Sequence, residues 1–182
     1  VDPVPAQTPM LHDDHRTHLV TLSRLVPHKR IEEAIDAVAT MDNVVLDIIG
    51  SGWWEDELRA YAKGRGDVVF HGHVSEPYKH ALLERAELHL LPSRKEGWGI
   101  AVIEAAQHGV PTVAYASAGG VADSIRDGVT GRLVADGEDF AAVARETLER
   151  RGAMAQAAKR WAQGFSWEET GRKFEKVIAA LD

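Results

Sequence analysis

The chain contains no cysteine, which excludes disulfides, thiol nucleophiles and thiolate metal sites. No apolar run approaches the roughly 20 residues that a membrane-spanning helix needs. Positive charge is also scarce: 21 Lys and Arg stand against 28 Asp and Glu, interspersed, for a net charge of -7. That leaves no clustered basic face for a nucleic acid. What remains is ordinary for a soluble fold. The 182 residues are 45% hydrophobic and 27% charged, enough for one globular domain with its own core. A cytoplasmic protein is expected, with peripheral contact at the cytoplasmic membrane face left open for a longer protein.

The opening VDPVPAQTP carries three prolines in nine residues and continues neither a helix nor a central strand. Residues 1–17 are therefore expected to be a linker from an N-terminal domain. Within it His12, His15 and His18 stand at a spacing that could hold a metal. The Pro-rich approach offers no rigid element to fix them, so HDDHRTH reads as a solvated connector and no metal site is expected.

From there short β-type runs alternate with helical patterns. HLVTLS (18–23), VVLDIIG (44–50), DVVFHGHV (67–74), LHLLPS (88–93), PTVAYA (111–116) and TGRLV (130–134) read as strands. Between them, Ile31, Ala34, Ile35 and Val38 recur at i, i+3, i+4 and i+7, the apolar stripe of a helix. Helices are also expected over 53–66, from a cap at Ser75, over 99–109 and 121–128, then from Phe140 to about Gln163 and from Trp167 to Leu181. Alternation of this kind means βαβ units: an α/β fold with a doubly wound, six-stranded parallel sheet. Such sheets bind ligands beyond the carboxyl ends of their strands, at the point where strand order reverses.

The loops after the strands carry the candidate chemistry. Arg24 and Lys29 follow the first strand, where a diphosphate would need fixed cations, although a solvated basic pair beside a turn fits as well. Gly50 and Gly52 follow the second strand, either as an ordinary turn or as a close approach to a ligand. After the fourth strand comes KEGWGIAVIEAAQHG. Glu96 precedes Gly97, Trp98 and Gly99, and the helix that begins there offers unpaired amides suited to a phosphate. Inside that helix Glu104 is the only charged residue, among alanine, valine and isoleucine. Vicinal hydroxyls of a ligand would satisfy such a carboxylate, or it faces solvent near the helix start. Gly119 and Gly120 open one more helix.

Taken together, SRLVPHK, IIGSG, VVFHGHV, PSRKEGWGIAVIEAAQHGVPTVA, GGVADSIRDGVTGRLV and FSWEE resemble the donor-binding domain of retaining glycosyltransferases of family 4, which have a two-domain B-type fold. The resemblance covers 18–182, and its most specific element is the E-x7-E pair Glu96 and Glu104. It implies that Arg24 and Lys29 hold the diphosphate, that Glu104 binds the ribose, and that Glu96 contacts the sugar. It further implies that Gly97, Trp98, Gly99, Gly119 and Gly120 line the donor. Gly50 and Gly52 would leave room for it, and His73 and Val74 would lie by the base. The substrate would be a UDP-, GDP- or ADP-sugar, with a hexose transferred without a metal or other cofactor. A partner domain would bind the acceptor, so these residues alone would bind donor without transferring it.

Arg30 stands where the family commonly has glycine, Trp98 where it has phenylalanine, and Ala122 and Asp123 where it has proline and glutamate. An apolar stripe of Phe174, Val177, Ile178 and Leu181 is expected to self-associate or pack back on the domain. A B-type nucleotide-sugar epimerase or phosphorylase, or a non-catalytic nucleotide-sugar sensor, shares much of this pattern.

Overall fold

The computed structural model describes residues 1–12, 14–165 and 172. Six parallel strands form one sheet in the order β3-β2-β1-β4-β5-β6: β1 (Thr17–Leu22), β2 (Val44–Ile49), β3 (Val68–Gly72), β4 (Leu88–Leu91), β5 (Thr112–Tyr115) and β6 (Gly131–Val134). Strand order reverses between β1 and β4, so the crevice of a doubly wound sheet opens there.

Among the described residues six helices cover the sheet: α1 (Ile31–Val38), α2 (Glu55–Tyr61), α3 (Glu76–Arg85), α4 (Ile100–Gln107), α5 (Val121–Ser124) and α6 (Phe140–Ala162). Because side chains alternate along a strand, each strand feeds two cores. Leu19, Leu46, Ile48 and Leu90 pack on one face against α1, α2 and the start of α6. Val20 and Ile49 pack on the other face against Leu82 and Leu83 of α3 and Ala105 of α4. The far end of α6 reaches α4, where Ala158 and Ala162 meet Ile103 and Ala106. Alanine at these contacts lets the two helix backbones come close.

All six strands and the helices through α6 stand where the apolar periodicity puts them, with ends shifted by a few residues. The helix expected from Trp167 to Leu181, with its stripe of Phe174, Val177, Ile178 and Leu181, lies outside the described residues. Ser75 is the N-cap residue of α3, but its hydroxyl makes no capping bond, and Pro77 sits in the first turn.

The expected linker behaves differently from a free tether. The Val1 ammonium donates to Phe165 O at 3.1 Å, and Gln107 Nε2 donates to Asp2 O at 2.8 Å. Leu11 packs against the α3 core. The histidine stretch divides too. His18 is 5% exposed inside β1, not solvated, and no group of three His, Asp or Glu among the described residues could hold a metal.

Arg30 ends the 3-10 turn Pro27–Lys29 and precedes α1 in the left-handed region, φ 50° and ψ 43°. A side chain is strained there and glycine is not, which accounts physically for the family's usual residue.

Candidate functional site

Backbone hydrogen bonds stitch the loops beyond the strand ends into one rim. Leu25 N donates to Ser51 O at 3.0 Å, joining the loops after β1 and β2. Arg94 N donates to His28 O at 2.9 Å, joining those after β1 and β4 across the switch point. Glu96 N donates to Ala118 O at 2.7 Å, which adds the loop after β5. Residues far apart in sequence thus reach one crevice on fixed backbone.

Lys29 and Glu96, 67 residues apart, meet there: Lys29 Nζ donates to Glu96 Oε1 at 2.5 Å. Both are mostly buried, at 15% and 10% side-chain exposure, so the attraction is screened little by solvent. Each neutralises the other when nothing is bound. Arg24 is exposed and forms no ion pair among the described residues, so its guanidinium is available to an incoming anion.

Glu104 lies on α4 with one partner. Lys79 Nζ, from α3, donates to Glu104 Oε1 at 2.7 Å and to Glu76 Oε2 at 2.7 Å. Burial alone lowers the Lys79 pKa, but the bonds to Glu104 and Glu76 outweigh it and the net shift is upward. The ammonium is therefore held charged. Glu104 Oε2 makes no hydrogen bond among the described residues, and the side chain is 19% exposed. This carboxylate is half satisfied within the chain.

The glycines mostly serve close backbone approach. A Cβ at Gly50 would lie 1.9 Å from Ser23 O, and one at Gly52 would lie 2.1 Å from Leu25 O. The room they leave is filled by the loop after β1, not held open for a ligand. Gly119 and Gly120 do the same for the KEGWG loop, with a Cβ at Gly120 only 2.0 Å from Gly97 O. Gly97 faces open space, and Gly99 caps α4 at φ 80°. Trp98 stacks edge-on against Phe165, ring centroids 4.8 Å apart, so its ring braces the end of α6. His73 is exposed and Val74 half-buried, between β3 and α3.

A second polar cluster lies under α3, toward the start of the strands. Asp47 in β2 is 1% exposed, and its carboxylate accepts from His18 Nδ1 at 2.7 Å, His71 Nε2 at 2.7 Å and Arg85 Nη2 at 3.0 Å. Burial opposes ionisation of Asp47, yet the bonds from His18 and His71 and the Arg85 charge prevail and lower its pKa to about 2. His18 Nε2 meets Asp14 Oδ1 at 2.8 Å. Both nitrogens of His18 thus face carboxylate oxygens, which only accept, so the ring is an imidazolium. Sequence reading passed over Asp47 and Lys79 alike. A signal was present for Asp47, the one charge inside the apolar run VVLDII, and none for Lys79.

A hollow of 610 Å³ lies beside this crevice, between Pro27, Arg30, Glu33, Trp54 and Arg94. It contains neither Glu96 nor Glu104. Its walls are tied together by Tyr115 Oη donating to Glu33 at 2.5 Å and Trp54 Nε1 donating to Glu32 at 2.7 Å. The stitched switch-point crevice, where Lys29 meets Glu96, is the better candidate.

Residues 8–164 match the family described as "Glycosyl transferases group 1". The chain belongs to the group 1 glycosyltransferases, family 4, and corresponds to their donor-binding domain. It is 32% identical over 188 residues to a GDP-mannose-dependent alpha-(1-6)-phosphatidylinositol monomannoside mannosyltransferase of Mycolicibacterium smegmatis, covering 90% of this chain and 48% of that protein. Over 97 residues it is 42% identical to a D-inositol 3-phosphate glycosyltransferase of Geodermatophilus obscurus, covering 52% of this chain and 21% of that one. The chain spans about half, or less, of the length of these relatives.

Among solved structures, the Anabaena protein HepE (Alr3699) in complex with UDP and glucose superposes with a TM-score of 0.79 at 24% identity, over 91% of this chain and 48% of that one. The apo lipopolysaccharide outer core galactosyltransferase WaaB gives 0.78 at 21% identity, over 98% and 54%. At such identities the likeness shows a shared fold. No helix among the described residues is long and apolar enough to cross a membrane.

Proposed function

We propose that this domain binds a nucleoside diphosphate hexose at the β1/β4 switch point, and that the whole protein transfers the hexose to an acceptor with retention of configuration. The observation that carries this reading is the meeting of Lys29 and Glu96 at 2.5 Å, from loops 67 residues apart. A cation suited to phosphates and a carboxylate suited to sugar hydroxyls satisfy each other until a donor, which supplies both kinds of group, separates them.

Breaking the bond between the anomeric carbon and the phosphate oxygen leaves extra negative charge on the departing nucleoside diphosphate. In this reading Lys29 and Arg24, on the hydrogen-bonded loop after β1, meet that charge as it develops with little reorganisation. The amides of Gly97 to Gly99 and the start of α4 add donors of the same polarity. Glu104 takes the ribose, and the base lies by His73 and Val74. These residues lie just before α3, which carries Lys79 to Glu104 and so links the two expected contacts. No protein nucleophile or acid–base pair is assigned, and no metal or cofactor is invoked.

The similar proteins differ in nucleotide and sugar: one is GDP-mannose-dependent, and one of the same fold was solved with UDP and glucose, so the class proposed here is a nucleoside diphosphate hexose. The acceptor falls to a second domain, so the 182 residues alone bind donor without transferring the hexose. A calorimetric panel of UDP, GDP and ADP, with their sugars, tests the reading. One family of nucleotides should bind, weakly, and Glu104→Ala should lose about 1–3 kcal/mol of affinity as paired polar groups are left unmatched. Unchanged affinity in that variant removes Glu104 from the ribose.

A further inference from the structure

We infer that Lys79 is a positioning residue of the donor site: it holds one oxygen of Glu104 so that the other faces the ribose hydroxyls. The inference rests on the ribose reading of Glu104 given above and adds a residue to it.

Lys79 is 9% exposed, in a helix segment whose next four residues, His80 to Leu83, are also buried. Desolvating an ammonium is costly unless it is paired, and here two carboxylates pair it at 2.7 Å each. The two partners differ. Glu76 is 62% exposed and sits three residues away on the same helix, so it adds little that solvent would not. Glu104 is on another element, is mostly buried, and gives Lys79 only Oε1.

Two consequences follow for a ligand. The carboxylate cannot rotate freely, because one oxygen is pinned, so Oε2 keeps a fixed direction. An ordered acceptor gives up less conformational freedom on binding than a mobile one. The ammonium also cancels the charge of Glu104 locally. A bare carboxylate would repel a diphosphate entering the same crevice, and Lys79 removes that repulsion without spending the free oxygen.

A bond that merely fastens α3 to α4 makes a different prediction. It would affect fold stability and would not distinguish a ribonucleotide from its 2′,3′-dideoxy form. The test is therefore calorimetric titration of the 182-residue chain with UDP and GDP and with their 2′,3′-dideoxy counterparts. Wild type is compared with Lys79→Met, Lys79→Arg, Glu104→Ala and the double variant Lys79→Met/Glu104→Ala, each shown by circular dichroism to be folded.

For the better-bound nucleotide, wild type should prefer the ribo form by about tenfold or more. Lys79→Met should lose most of that preference, Lys79→Arg should keep part of it, and the double variant should match Glu104→Ala. If Lys79→Met does not fold, Lys79→Gln takes its place. Full ribose preference in Lys79→Met, or losses that add up in the double variant, would overturn the role of Lys79. No ribose preference in wild type, or an undiminished one in Glu104→Ala, instead overturns the ribose reading of Glu104 itself.

Discussion

Two carboxylates on the same side of the sheet, Asp47 buried and Glu104 partly exposed, make an instructive pair. Asp47 and Glu104 both lie among apolar residues, and both are held by cations from α3. Asp47 is saturated: His18, His71 and Arg85 together occupy both of its oxygens. Glu104 gives one oxygen to Lys79 and keeps the other. A carboxylate with every lone pair engaged is part of the architecture. One with spare acceptor capacity can still take a ligand's hydroxyls, which is the role proposed for Glu104.

Substitution should separate the two roles, with the largest effect at Asp47. Asp47→Ala leaves an imidazolium and a guanidinium without their shared partner and should cost about 3–5 kcal/mol of fold stability in urea unfolding. Glu104→Ala leaves Lys79 its bond to Glu76 and should lose clearly less stability than Asp47→Ala, with its larger loss seen in nucleotide affinity. Equal stability losses in the two variants would erase the distinction drawn here.

Lys29 comes next. Lys29→Ala should weaken binding of a nucleoside diphosphate by about 1.5–3 kcal/mol, the range for hydrogen bonds to charged groups, and that of the bare nucleoside hardly at all. Equal losses for both ligands, measured by calorimetry, would move the phosphates away from the loop after β1.

The sheet was legible from sequence because alternation of apolar runs and helical stripes is a statement about burial, and burial decided each element. The loops after the strands were legible as the place to look, because parallel sheets take ligands beyond their carboxyl ends, whereas the neighbouring of the loops after β1 and β4 depends on a strand order that alternation does not fix. Partner choice was not legible. Nothing in SEPYKHALLER marks Lys79 as inward-facing, since lysines on helices usually reach water, and only three-dimensional packing shows that its neighbours are buried. Gly50 and Gly52 gave the opposite difficulty. Glycine signals a close approach but not what approaches, and here it is the backbone of Ser23 and Leu25. Trp98 reads as part of the glycine loop at the site, yet its ring finds Phe165, which the sequence places 67 residues away.

Acid offers a gentler way to sharpen the contrast between structural and functional groups. His89 is fully buried and its pKa is pushed down to about 3 by burial, and that of His108 is pushed down to about 4 by burial and then by the charge of His80. Depressed values mean that the unfolded chain binds more protons between the two limits. Stability is fully present above an ordinary histidine pKa of about 6.5 and falls as pH drops toward 4, by up to roughly 1.4 kcal/mol per pH unit for each such group. Urea unfolding of wild type and His89→Leu at pH 7 and pH 4.5 should show a shallower loss in the variant. His18 carries the opposite sign. Burial lowers its pKa, but the bonds to Asp47 and Asp14 prevail and raise it, so its contribution is present below about 6.5 and lost as pH rises through the folded value.

The smallest effect is expected at Arg30. Arg30→Gly relieves a left-handed side chain while adding freedom to the unfolded chain, and should leave stability within about 1 kcal/mol of wild type, on the stabilising side. A clear loss in thermal unfolding would mean that the ion pair from Arg30 to Glu33 outweighs the strain.

A crystal structure of the domain with a bound nucleoside diphosphate tests the assignment most directly. The ribose hydroxyls should lie within hydrogen-bond reach of Glu104 Oε2 while Lys79 keeps Oε1, with the phosphates against Lys29 and Arg24 and the bond from Lys29 to Glu96 opened. A nucleotide seated in the hollow beside Trp54 and Arg94, with both lysine–glutamate pairs undisturbed, would contradict it.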